Sequence, residues 1–178
     1  MWQRYLHMAL TTLVFAMPSP AQASDKTERA GDILMLALPL SGFAAAVVKK
    51  DRQGQIQFAK SLGTNLAVTL LLKSAVDKQR PNGECCDSFP SGHASVAFSG
   101  ATFIHRRYGI RYGIPAYLTA SFVAYSRVAS DKHYVEDVVA GAAIGVLSSY
   151  FFTSRYEGFE VTPVVAGDFL GLSVRKRW

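Results

Sequence analysis

Three polar stretches in a largely apolar chain carry the residues that could do chemistry. The last runs Ser126-Arg127-Val128-Ala129-Ser130-Asp131-Lys132-His133-Tyr134-Val135-Glu136-Asp137. His133 and Asp137 stand at i and i+4, which on a helix lie one above the other. Asp137 is therefore expected to reach one ring nitrogen of His133 and fix its tautomer. The other nitrogen is then free to act as a base or nucleophile. Glu136 competes for that role and is read as solvated charge. Arg127 adds a planar cationic fork, which suits a phosphate better than a neutral substrate.

The other two stretches lie upstream. One begins at Lys73 and ends Arg80-Pro81; the other is Pro90-Ser91-Gly92-His93. Lys73 and Arg80 would be about two helical turns apart if one helix carried both, with Pro81 ending it. Ser91 is expected to cap the helix that follows, and Gly92 lets the backbone approach an anion. The first N–H groups of that helix would then point at phosphate oxygens, with His93 beside them. Phosphoester cleavage needs cations on the phosphoryl oxygens, an in-line nucleophile and a proton for the leaving group. The three stretches hold residues for all three tasks without a metal.

Read in order, they spell KxxxxxxRP, PSGH and SRxxxxxHxxxD across residues 73–137. This pattern resembles the type 2 phosphatidic acid phosphatase (PAP2) superfamily, which also contains bacterial acid phosphatases and vanadium haloperoxidases. The resemblance implies that His133 attacks phosphorus to form a phosphohistidine and that Asp137 orients it. It implies that His93 protonates the leaving oxygen and then activates water. Lys73, Arg80, Ser91, Gly92 and Arg127 would bind the phosphoryl group, with no metal and no cofactor. Asp131 and Lys132 fall at variable positions of the motif, and His105 falls in a basic loop outside it.

The elements that must position these residues follow from the apolar runs. Ile33–Val48, Ile56–Leu72, Ala94–Ile104, Ile114–Tyr125 and Val138–Thr153 predict an all-α bundle of five or six helices. The runs are shorter than the ~20 residues that span a bilayer core. The loops between them alternate in charge. Lys49–Gly54, His105–Gly113 and Arg155 gather on one side, and the three motifs fall on the other. Under the positive-inside rule this favours a bundle in a bacterial inner membrane with its site at the periplasmic end. The alternative is a soluble periplasmic bundle. Gly141 and Gly145 would allow close helix contact.

Composition agrees with a membrane or phosphate-handling protein. The 178 residues are 49% hydrophobic and 18% charged, with a net charge of +6. Basicity could signal nucleic acid, but no aromatic–basic motif for it is present; anionic lipid or a phosphorylated substrate explains it. Residues 1–23 read as a secretory signal ending in Ala21-Gln22-Ala23. Residues 24–155 are expected to form the PAP2-like helical phosphatase domain. The tail, 156–178, could fold as a β-hairpin with Pro163 on its edge strand. Cys85 and Cys86 are adjacent, which is no metal spacing, and are expected to have no catalytic role.

The expected function is a metal-independent phosphatase acting on a lipid phosphate or diphosphate in the membrane. Phosphatidic acid, phosphatidylglycerol phosphate, undecaprenyl diphosphate and lipid A all fit. A soluble periplasmic acid phosphatase and a lipid phosphotransferase are the alternatives. Oligomeric state is left open by the sequence.

Overall fold

The computed structural model describes residues 25–156, 159–166 and 169–176; the expected signal segment, 1–23, lies outside them. Five helices follow one another in the chain: α1 (Asp25–Val48), α2 (Arg52–Ala75), α3 (Gly92–Tyr108), α4 (Ile110–Ala129) and α5 (Val135–Phe152). The all-α expectation holds. Each helix starts ahead of its apolar stretch: α1 starts at Asp25 and α2 at Arg52, where polar residues form the first turns. The tail pairs β1 (Phe159–Ala166) with β2 (Phe169–Lys176) antiparallel, with Pro163 opposite Leu172.

α3 is the axis of the bundle and packs against each of the other four helices. Its sequence explains this. Ala94, Ala97 and Ala101 are fully buried, and small side chains let neighbouring backbones come close. The tightest approach is to α5. A Cβ at Gly141 or Gly145 would collide with the backbone carbonyls of Ser91 and Ser95. Hydroxyls line the same seam: Ser149 Oγ donates to the Ser99 carbonyl at 2.8 Å, and Thr69 Oγ1 on α2 meets Ser95 Oγ at 3.1 Å. Phe103 of α3 meets Phe58 of α2 edge to face at 5.1 Å, filling the wider side.

Up-and-down order puts the two long connections, 76–91 and 130–134, at one end of the bundle. The basic turns gather at the other. There Asp51 caps α2 by accepting from Gly54 N at 2.9 Å, and it pairs with Arg107 from the end of α3. A cavity of about 520 Å³ lies at this basic end, lined by Leu38, Gly42, Lys49, Ile104 and Tyr108 among others; it contains no motif residue.

The outer faces are apolar. Leu36, Leu40, Leu70, Leu71, Leu118, Val139 and Phe151 are all more than half exposed. Among the described residues, α1 and α5 are long and apolar enough to cross a membrane. An uncovered apolar belt of this extent suits a bilayer better than water.

Candidate active site

The connection from α2 to α3 builds one wall of the site. α2 ends at Ala75, so Lys73 lies on its last turn and Arg80 lies beyond it. The expected two-turn spacing on one helix is therefore corrected: Arg80 is carried by a folded loop. Arg80 N donates to the Glu84 carbonyl at 2.9 Å, and Ser88 N donates to the Lys78 carbonyl at 3.0 Å. This doubling back returns Asp87 to both cations. Arg80 grips its carboxylate with two bonds, 2.9 and 3.1 Å, and Lys73 Nζ donates to its backbone carbonyl. Arg80's bonds outweigh burial and hold the Asp87 carboxyl below the usual carboxylate range. Cys85 and Cys86 sit in this loop, paired with each other.

The loop also supplies what holds His133. His133 precedes α5, whose N-cap is Tyr134, so His133 and Asp137 do not share a helical face. His133 Nδ1 donates to the backbone carbonyl of Ser88 at 2.7 Å, while Asp137 Oδ2 stands 4.0 Å away. The expected direct bond from Asp137 is thus replaced by one from Ser88, because the chain bends before the helix begins. Asp137 acts one link further back. Fully buried, it accepts from Ser88 Oγ at 2.5 Å, Tyr134 N at 3.0 Å and Lys78 Nζ at 2.6 Å. Lys78 also pairs with Glu136 at 2.8 Å; Glu136 faces solvent as expected. Burial works against the Lys78 ammonium, yet the two carboxylates raise its pKa above the ordinary lysine value.

A carbonyl can only accept, so His133 Nδ1 carries the proton and Nε2 keeps its lone pair. Burial, with Lys73 and Arg80 adding to it, pushes the His133 pKa down to about 4, against the pull of the Ser88 carbonyl and Asp137. The ring is neutral at ordinary pH.

The opposite wall comes from α1, α3 and α4. Ser91 caps α3, its Oγ accepting from Ala94 N at 3.4 Å, and Gly92 is the first helical residue. A Cβ at Gly92 would meet only Lys73 Cε, at 3.9 Å, so this helix start lies open beside Lys73. His93, one position on, turns Nε2 to Asp32 Oδ1 of α1 at 3.0 Å. Arg127, on the last turn of α4, reaches the same oxygen at 2.8 Å and donates to the Glu28 carbonyl at 2.8 Å. Gly31 makes this possible: a Cβ there would press on Ser126 and on Arg127 Nη2.

All eight residues expected from the motifs thus lie at one end of the bundle. Lys73 and Arg80 share Asp87, His133 and Asp137 share Ser88, and His93 and Arg127 share Asp32. His105 lies at the other end, against Tyr117. The sequence reading did not single out Lys78, Asp87 or Ser88, although Lys78 falls at a variable position of the first motif and Asp87 and Ser88 fall between the first two. Asp32 lies outside every motif and carries no local signal.

Comparison with known proteins agrees with this architecture. The PAP2 superfamily profile matches residues 55–159. The chain is 35% identical over 119 residues to a lipid A 1-phosphatase of Porphyromonas gingivalis, covering 64% of this chain but 26% of that protein. The chain therefore spans about a quarter of that relative's length. It is 31% identical over 159 residues to a lipid A 4'-phosphatase of Helicobacter pylori, covering 82% of this chain and 80% of that one. The crystal structure of Aquifex aeolicus LpxE superposes with a TM-score of 0.55 at 19% identity, over 68% of this chain and 84% of that one, which is a likeness of fold. With a profile across the whole motif region, a relative matched over four-fifths of its length and a shared helical fold, the chain belongs to the PAP2 superfamily.

Proposed function

We propose that this chain is a membrane lipid phosphatase that works through a phosphohistidine on His133. The observation that carries the reading is the bond from His133 Nδ1 to the Ser88 carbonyl, which leaves Nε2 unprotonated beside Lys73 and Arg80. In the first step the Nε2 lone pair forms a bond to phosphorus. The bond from phosphorus to the lipid oxygen breaks, and His93 gives that oxygen a proton. In the second, water gives a proton to His93 and attacks phosphorus, and the N–P bond breaks. Inorganic phosphate leaves and both histidines return to their starting states. The cations stabilise the charge on the equatorial oxygens in both steps.

The substrate class follows from the relatives and the surface. Both lipid A phosphatases named above act on a lipid phosphate, and the apolar belt around the bundle suits a substrate that arrives through the bilayer. Lipid A is the preferred member of the set. The basic turns at the opposite end favour a periplasmic site.

Phosphate release in detergent tests this reading. Lipid A, phosphatidic acid, phosphatidylglycerol phosphate and undecaprenyl diphosphate are offered with a chelator present. Turnover of a lipid phosphate is expected, together with an acid-labile phosphoenzyme when labelled substrate is quenched. His133→Ala should lose both, with turnover down about 10³-fold or more. Label that persists in His133→Ala would sink the assignment. Release only in the presence of an acceptor lipid would make the chain a phosphotransferase.

A further inference from the structure

Asp32 sits among the motif residues without belonging to a motif, and it precedes the region that the family profile matches. Its Oδ1 lies 3.0 Å from His93 Nε2 and 2.8 Å from Arg127 Nη1. A carboxylate only accepts, so Nε2 must carry the proton in this pair. Among the described residues, His93 Nδ1 has no hydrogen-bond partner. Asp32 is itself well held. Gly31 lets α1 cross close to α4, and the neighbouring Glu28 carbonyl takes a second Arg127 donor at 2.8 Å.

We infer that Asp32 is a positioning residue for the acid–base half of the reaction: it holds His93 by Nε2–H so that Nδ1 alone faces the leaving oxygen and, later, the attacking water. The inference rests on the phosphohistidine reading above. Its content is one of tautomer and charge. The proton delivered to the leaving oxygen comes from Nδ1. The ring left behind is neutral, with Nε2–H still on Asp32, so the lone pair that receives water's proton is on Nδ1 again. Without Asp32 the ring can turn over or present the wrong tautomer, and Arg127 loses the counter-charge that lets a protonated imidazole stand beside it.

The test uses the purified full chain in detergent and reads kcat/KM, which reports on the steps through phosphoryl transfer to His133. Two substrates differ in how much they need an acid: phosphatidic acid, with a poor alkoxide leaving group, and 4-nitrophenyl phosphate, with a good one. Asp32→Asn is expected to lose about 10–100-fold on phosphatidic acid, part of what a positioned acid supplies, and less than about 5-fold on the aryl ester. Asp32→Glu should recover much of the loss, and inhibition by inorganic phosphate should stay within about 3-fold of wild type. Melting curves and an Asp32→Ala variant rescued by added acetate separate this from a folding defect.

Equal losses on both substrates would make Asp32 merely structural. Unchanged or higher kcat/KM with tighter phosphate inhibition would make it a carboxylate that only occupies the phosphate position. His93→Ala separates the two layers of inference. If it shows the selective loss and Asp32→Asn does not, the Asp32 role alone falls. If His93→Ala shows no selectivity, the acid role of His93 falls and the Asp32 role falls with it.

Discussion

Arg107 and Arg127 are equally buried, each 3% exposed, and each holds an aspartate, yet they stand at opposite ends of the bundle. Arg107 is largely spent inside the fold. Nε and Nη2 bond both oxygens of Asp51 at 2.7 and 2.5 Å, and Nη1 bonds the Ser154 and Arg155 carbonyls at 3.0 and 2.9 Å. Asp51 is as buried as its partner. Arg127 has one bond to each of Ser126 Oγ, the Glu28 carbonyl and Asp32, and Asp32 is 48% exposed. A guanidinium has five N–H donors. Arg127 therefore keeps donors for a visitor, and its acid opens to the surface. At equal burial Arg107 spends four donors inside the fold and Arg127 three, a difference that fits the phosphate-binding role proposed for Arg127.

The sharpest way to break this contrast is to remove each arginine in turn. Arg107→Met leaves Asp51 buried and uncompensated. It should cost about 3–5 kcal/mol of stability, measured by denaturant unfolding, while folded molecules keep their kcat/KM. Arg127→Met should do the opposite: a loss of about 10²–10³-fold in kcat/KM with a smaller change in stability. If the two variants show the same balance of losses, the distinction between the ends is wrong.

A second prediction follows from His133. Its folded pKa, about 4, lies below the ordinary histidine value of 6.5. As pH falls between these values the unfolded chain gains a proton that the folded chain refuses, so the folded state loses stability. Above pH 6.5 the effect is absent. Relative to His133→Gln, the wild-type chain should lose on the order of 2–3 kcal/mol between pH 7 and 4. The comparison of unfolding free energies across that range checks it. A gain towards acid would mean that the folded site favours the imidazolium.

The smallest expected effect sharpens the geometry. Ser88→Ala removes the hydroxyl that serves Asp137 but keeps the carbonyl that locks His133. It should lower kcat/KM by about 3–10-fold, the scale of one lost hydrogen bond, and leave the phosphoenzyme detectable. A loss as deep as that expected of His133→Ala would show that the hydroxyl, not the carbonyl, governs the nucleophile.

The helical class and the family could be read from the sequence, because apolar runs and spaced motifs are local patterns. What could not be read depends on where the chain bends and on distant partners. The i,i+4 spacing of His133 and Asp137 suggested a direct bond, but α5 begins only after Tyr134. The spacing of Lys73 and Arg80 suggested one helix, but α2 ends at Ala75 and the loop turns back so that both cations meet Asp87. Ser88 serves His133 through its backbone, which side-chain chemistry does not reveal. Asp32 is 61 residues from His93, and only the crossing at Gly31 brings α1 to the site.

The seam between α3 and α5 has a consequence for how such an enzyme can diversify. His93 rides on the first turn of α3, and His133 immediately precedes α5. These two helices touch backbone to backbone at Gly141 and Gly145. The two histidines are thereby mounted on a joint where backbone meets backbone, and an added side-chain atom at either glycine would force the helices apart. α2 meets α3 through side chains, Phe58 and Thr69 among them, and not through its backbone. Selection can reshape that flank to admit a different lipid while the spacing of the histidines stays fixed, so new substrates can arise without rebuilding the chemistry.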